Sequence, residues 1–382
     1  MCNLFGWPKP AGPFSVGTTA WHFIDPLRVD PFASDGAAGP AGLRALMANV
    51  WYPAAPGQAI KRLNGTVGFP EGGVAYPRPP LTLLTRAGPL PNTLHRLVEH
   101  FRLPGAALHQ VTHLNAFALP EAAPVASETP WPVLLFSHGY GLENAVSGSF
   151  LTESLASHGY VVISVSHPGE SLATVFPDGR IAALDFDNPR LELAARLAEI
   201  ETSEGDWGLR AAQSLDLWAG DLRFVLNELE RLSGSGMDNP LGGLAGQLNL
   251  AHVGALGVGF GGSAALELAA HDARISAVAS LGGRLAAGSA SIGERPSMFI
   301  AGLGQTAGWS PTHAFTLSGA RPLHFTGAAL WFPLLDQVAD FNAGNVYGHY
   351  KAINTHTLAF FDKYLRGRTV ASLNQPTDQL TN

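Results

Sequence analysis

The chain has 382 residues, of which 46% are hydrophobic and only 14% charged, with a formal net charge of −7 and a pI near 6.0. Its four lysines (Lys9, Lys61, Lys351 and Lys363) and the lack of any Lys/Arg-rich run argue against nucleic acid as a partner, because too few cations are available to neutralise phosphates. No stretch approaches the roughly 18 uninterrupted apolar residues of a membrane span, and a single cysteine, Cys2, rules out an internal disulfide framework.

Residues 1–14 contain Pro8, Pro10 and Pro13 and lack the apolar run of a secretory signal, so a cytoplasmic protein is expected. Strands are expected over 15–24 and 43–52, the second stopping at Pro53, which has no N–H to give to a ladder. From Gly57 to Val125 the chain is rich in Pro and Gly, with helical candidates over 92–103 and 105–115 on either side of Pro104. Residues 1–130 thus read as strands and a covering segment of the domain that follows.

From Trp131 the pattern becomes strand, turn, helix. Val133–Phe136 is a short continuous apolar run, the signature of a strand buried on both faces. It ends in Ser137-His138-Gly139-Tyr140-Gly141, and a helix over 147–158 is expected next. Val161–Val165 is a second such strand. A helical region over 189–232, broken near Glu204-Gly205-Asp206, buries Leu215, Leu222, Val225, Leu226 and Leu229 at helical spacing in its second part. Val253–Gly257 is a third strand, running into Gly259-Phe260-Gly261-Gly262 and a helix over 263–270. Ile275–Leu281 and Ser297–Ala301 follow as strands, and a helix over 352–366 precedes a polar tail. This alternation predicts an α/β fold: a mostly parallel central sheet with helices on both faces and an N-terminal extension as cover. The core spans 131–368, with a helical insertion about 182–215 and a flexible tail over 369–382. No repeat is visible, and nothing points to a metal or another cofactor.

Several segments, in order, resemble the α/β hydrolases similar to platelet-activating-factor acetylhydrolase and dienelactone hydrolase. They are Val50-Trp51-Tyr52-Pro53, Pro132–Gly139, Ala156–Val162, Ser166-His167-Pro168, Phe176–Arg180 and Leu358–Leu365. The resemblance implies where a Ser-Asp-His triad should stand. The nucleophile belongs in a Gly-x-Ser-x-Gly elbow, a sharp strand-to-helix turn; here it reads Gly257-Val258-Gly259-Phe260-Gly261, with Gly259 in the serine's place. The acid's Leu-Asp-Gly pattern reads Leu281-Gly282-Gly283. The histidine's His-x-x-Phe pattern reads Ala329-Leu330-Trp331-Phe332. Serine-based acyl transfer needs a hydroxyl, a base and a group to orient the base, and none of the three remains.

What the resemblance retains is the oxyanion hole, whose backbone donors would be Tyr140 and Phe260 and which can polarise a carbonyl without any serine. His138, Glu143, His167 and Glu170 are the acid–base candidates. The plainer reading makes the two histidines scaffold and the two glutamates solvated loop charges. Arg284 and Trp331 flank emptied positions and are candidate pocket residues. Ser263 reads as a packing or capping serine, and Cys2 as an ordinary terminal residue. The three small replacements remove on the order of 150 Å³ of side chain, which suggests a pocket admitting a small apolar molecule. The expectation is a non-hydrolytic enzyme of lyase, cyclase or isomerase type acting on a small apolar carbonyl compound. A non-catalytic binding protein and a hydrolase with a relocated nucleophile are the alternatives; oligomeric state is open.

Overall fold

The computed structural model describes residues 8–33, 39–55, 117–141, 143–184, 209–234, 239–285, 291–302, 304–327, 346–370 and 373. Chain order gives β1 (Ser15–Val29), β2 (Leu43–Ala54), β3 (Leu119–Pro120), β4 (Trp131–Ser137), α1 (Ser149–Ser157), β5 (Val161–Val165), β6 (Ala173–Val175), β7 (Ile181–Ala183) and α2 (Leu209–Ser233). Then come β8 (Leu248–Val258), α3 (Phe260–His271), β9 (Ile275–Leu281), β10 (Ser297–Ala301), β11 (His313–Thr316) and α4 (Val346–Arg366). Nine strands form one sheet in the order β11-β10-β9-β8-β4-β5-β2-β1-β3, and β6 and β7 make a separate hairpin. The six strands from β11 to β5 run parallel, while β2 is antiparallel to both β5 and β1. This is the α/β-hydrolase arrangement that the sequence predicts, and the N-terminal strands extend the same sheet.

The apolar run of β4 explains the layering. Alternate side chains of a strand point to opposite faces, and here both faces are dry. Leu134 and Phe136 pack with Phe150, Leu151 and Leu155 of α1 and Ile353, Phe360 and Phe361 of α4. Val133 and Leu135 pack with Leu215, Trp218, Leu222 and Val225 of α2 and Ala264, Ala265 and Leu268 of α3. Each such fully buried side chain contributes roughly 1.5–3 kcal/mol of apolar transfer, so a strand with no polar face is stable only between two helical layers.

Several boundaries differ from expectation for identifiable reasons. β1 runs on to Val29 through an irregularity between Asp25 and Val29. β2 continues through Pro53 to Ala54, because its ladder to β5 ends at Trp51, opposite Val162, and Pro53, opposite Val16 of β1, is engaged through its carbonyl by the Val125 N–H rather than through an N–H of its own. α3 begins at Phe260 rather than 263, since the elbow leads directly into it, and α4 begins six residues early, at Val346. Residues 209–215, read as insertion, are the first turns of α2. The helical candidates at 92–103 and 105–115, most of the insertion and nearly all of the tail lie outside the described residues. No helix among the described residues is long and apolar enough to cross a membrane.

Candidate functional site

The sheet order reverses between β4 and β8: the chain leaves β4 toward β5 on one side and β8 toward β9 on the other. Loops that diverge at such a switch point open a crevice at the strands' carboxyl ends, where open α/β sheets bind ligands. Ser137 and Gly257, neighbours in register, mark those ends. The loop His138–Gly141 leaves one and the elbow around Gly259 leaves the other.

The turn at Gly259, where the resemblance places a nucleophile, is built as a sharp strand-to-helix elbow. Gly259 has φ 50° and ψ −122°, a left-handed conformation that glycine adopts freely, and it caps α3 directly. Its N–H donates to the Leu281 carbonyl at 2.8 Å, tying the elbow to the end of β9. The first turn of α3 presses on β4 so closely that a Cβ at Gly261 would stand 2.1 Å from the His138 carbonyl oxygen. The N-terminus of the helix, with its partial positive charge, is therefore aimed at the crevice.

The loop carrying Tyr140 is braced from both sides. Gly139 N–H donates to Glu143 Oε2 at 3.0 Å, and Gly141 N–H donates to the Glu170 carbonyl at 2.9 Å. The Glu170 carboxylate accepts from Tyr140 Oη–H (3.1 Å), Ser214 Oγ–H (2.5 Å) and Trp218 Nε1–H (2.7 Å). Half-buried Tyr140 stacks on Trp218 at 5.7 Å between ring centroids, and Phe260 meets both rings edge-on. Both glutamates are buried, which corrects their reading as solvated loop charges: each carboxylate has backbone or side-chain donors to accept. Burial pushes the Glu143 carboxyl up to about 7 against the opposing Gly139 hydrogen bond. Burial also raises Glu170, opposed by its three donors.

Beneath this loop lies a polar chain of residues distant in sequence. Ser137 Oγ is 3.0 Å from His167 Nε2, and His167 Nδ1 is 3.0 Å from Asp221 Oδ2. Asp221 also accepts from Arg44 (Nη2 at 2.7 Å, Nε at 3.2 Å), and Arg44 Nη1 reaches Asp30 at 3.2 Å and the Pro168 carbonyl at 2.9 Å. All five side chains are buried. Burial would raise the Asp221 carboxyl, but Arg44 and the His167 hydrogen bond outweigh it and hold it well below the usual carboxylate range. Asp221 is therefore an acceptor, Nδ1 of His167 carries the proton, and Nε2 accepts from Ser137. Burial lowers His167, opposed by Asp221, so the ring is neutral. The three residues have the hydrogen-bond order of a Ser-His-Asp triad.

His138 turns its Nδ1–H to the Gly139 carbonyl at 2.7 Å, and its buried Nε2 has no partner among the described residues. Burial, with His167 close by, pushes this imidazole down to about 3. Ser263 is spoken for: its Oγ accepts the Arg284 N–H at 2.9 Å, which makes it an anchor for the turn after β9. Arg284 is buried beside that turn. The space at Gly282, where the resemblance places the acid and a pocket is expected, is not open, because a Cβ on Gly282 would stand 2.7 Å from the Gln305 side chain. Ala329 and Trp331 lie outside the described residues. No group of three or more His, Cys, Asp or Glu among the described residues is placed to hold a metal.

Sequence reading missed Ser137, Arg44, Asp221, Trp218 and Gln305. Arg44 and Asp221 do carry a signal, since each is a charge set among buried apolar neighbours, Leu43–Leu46 on β2 and Trp218–Val225 on α2. Such a charge needs a buried partner. Gln305 carries none.

Comparisons with known proteins agree with this architecture. Residues 93–280 match the family described as platelet-activating factor acetylhydrolase, isoform II. A platelet-activating factor acetylhydrolase from Cavia porcellus is 26% identical over 153 residues, which is 40% of this chain and 35% of that protein, so the match spans about a third of that relative. A ferulic acid esterase from Streptomyces cinnamoneus superposes with a TM-score of 0.66 at 22% identity, covering 99% of this chain and 98% of that one, and this likeness speaks for the fold. The named relatives are hydrolases.

Proposed function

We propose that this chain, which has the α/β-hydrolase fold and is similar to platelet-activating factor acetylhydrolase, acts on carbonyl compounds without forming an acyl-enzyme. It is a non-hydrolytic enzyme of lyase, cyclase or isomerase type whose substrate is a small apolar molecule bearing a carbonyl. The carrying observation is the elbow at Gly259, which keeps its left-handed turn and its place at the start of α3 but has no side chain with which to attack. In this reading the Tyr140 and Phe260 N–H groups and the α3 N-terminus polarise the carbonyl and hold the negative charge of an enolate. Half-buried Tyr140, backed by the buried Trp218 and Phe260 rings, is the aromatic group of this cluster that can meet an apolar ligand.

Of the four acid–base candidates, Glu143 is supported best. A carboxyl near 7 is poised to take or give a proton at working pH, and it sits on the loop that presents Tyr140. His138, near 3, is too weak a base, while His167 and Glu170 have their hydrogen bonds committed to scaffold.

The test is incubation with a panel of apolar ketones, lactones and esters, read by mass spectrometry. Products of unchanged mass, or lightened by elimination, are expected, and Glu143→Gln should cut conversion about 10²–10⁴-fold with affinity retained. A lactone product heavier by one water, or an ester split into an acid and an alcohol whose masses together equal the ester plus one water, would instead make the protein a hydrolase. Tight binding with no conversion would make it a binding protein.

A further inference from the structure

At position 282, where the resemblance puts the triad acid, the Gln305 amide occupies the space into which a side chain would project. Gly282 has φ +77°, and a Cβ there would stand 2.7 Å from Gln305 Nε2 and 3.0 Å from Gln305 Oε1. Gln305 comes from the turn after β10, the next strand of the sheet. Its Oε1 accepts the Gly302 N–H at 2.8 Å, and its Nε2 reaches toward the Gly282 carbonyl at 3.5 Å. The amide therefore bridges the ends of β9 and β10 and lies where a side chain at 282 would project. The following residue is clamped from the other side, since a Cβ on Gly283 would stand 2.1 Å from the Gly259 carbonyl oxygen.

We infer that Gln305 is a positioning residue that takes the volume of the triad acid, holding the Gly282–Gly283 turn against the elbow and keeping negative charge out of that corner, beside which Arg284 is buried. The inference rests on reading Gly282 as the vacated acid position. An acid in a triad orients a histidine and stabilises its imidazolium. Without that histidine, a buried carboxylate would lose the partner a triad gives it, and burying a charge without its partner is costly. An amide fills the space, satisfies the Gly302 N–H and leaves no negative charge on that side of the oxyanion donors, where negative charge would build up on a bound carbonyl. The site has been rebuilt around the missing acid rather than left vacant.

Two measurements test this. The first is a double-mutant cycle of Gly282→Asp and Gln305→Ala by urea unfolding, in which the strain of a side chain at φ +77° appears in both backgrounds and cancels. Gly282→Asp should lower the midpoint at least twice as much with Gln305 present as with Gln305→Ala; equal losses in the two backgrounds overturn the inference. The second probes charge at the elbow in a Cys2→Ser background, by the pH dependence of iodoacetamide alkylation of a thiol introduced by Gly259→Cys. Adding Gln305→Glu should raise the midpoint by about half a pH unit, as a like charge within roughly 8 Å would, while Gln305→Ala leaves it in place. No shift with Gln305→Glu also overturns it. Neither readout involves a substrate, so a failure to find carbonyl conversion would end the functional reading and leave this one standing.

Discussion

Replacing Asp221 by Asn tests whether the buried chain under the loop holds the fold together. The substitution keeps the shape of the side chain and removes its charge. Arg44, fully buried, would then keep only Asp30 at 3.2 Å and the Pro168 carbonyl at 2.9 Å, and would lose the two carboxylate contacts at 2.7 and 3.2 Å. Breaking one side of a buried ion pair costs about 3–5 kcal/mol, because the remaining charge is left in low dielectric. The comparison is Arg28→Met. Arg28 also reaches Asp221, at 2.9 Å, but its side chain is 28% exposed, and partly solvated pairs contribute about 0–1 kcal/mol. Urea unfolding at neutral pH, followed by far-ultraviolet circular dichroism, should show a midpoint shift for Asp221→Asn at least three times that for Arg28→Met, with unchanged slopes. The pH dependence has a fixed sign. A carboxyl held below its ordinary 3.8 in the folded state contributes stability above that pH and loses it as the pH falls further. The gap between wild type and Asp221→Asn should therefore narrow below 3.8. Equal costs for the two substitutions, or a gap that does not change with acid, would refute the assignment of Asp221 as the centre of this network.

Serine-directed fluorophosphonates should leave the protein unlabelled and short-chain p-nitrophenyl esters should turn over at the buffer rate; Gly259→Ser should fold yet stay inactive for lack of a base, whereas stoichiometric labelling at Ser137 or Ser263 would establish a relocated nucleophile. Glu143 and Glu153 are both pushed by burial to about 7, so their contribution is fully present below their ordinary 4.5 and lost as the pH rises through 7. Glu143→Gln or Glu153→Gln should each flatten the fall in thermal stability between those values, by on the order of 3 kcal/mol, and an unchanged slope in both variants would show that these carboxyls titrate normally.

The layers of the fold were legible because both of its signals are local. Val133–Phe136 and Val161–Val165 show no polar face, and Leu215, Leu222, Val225 and Leu229 repeat at helical spacing, so burial decides them without any knowledge of partners. The elbow was legible too, because Gly257, Gly259 and Gly261 are needed wherever a strand turns sharply into a helix packed on its neighbour. Partnerships between distant residues were not. Ser137, His167 and Asp221 are 30 and 54 residues apart in sequence, and Arg44 and Asp221 are 177 apart. Only the register of β4 and β5 and the path of α2 bring them together. Gln305 shows the same limit from the other side: the glycine at 282 reads as an emptied place until the neighbouring loop is seen to fill it.

The Ser137–His167–Asp221 chain sharpens a distinction between the geometry of a triad and its chemistry. In a working triad the aspartate's charge serves the histidine, which must gain a proton as the serine loses one. Asp221 here also faces two guanidiniums, Arg44 and Arg28, whose positive charges oppose its stabilisation of an imidazolium at His167. Burial lowers that histidine further, the Trp218 ring lies over it at 3.9 Å, and neither Ser137 nor His167 is solvent-accessible. What the chain does hold is the last residue of β4, from which the loop bearing Tyr140 departs, and, through Arg44 and the Pro168 carbonyl, the segment that supplies Glu170 to brace that loop. This bracing is independent of the residues at 259 and 282, and the proposed carbonyl-polarising site would depend on where its backbone donors are held rather than on a serine.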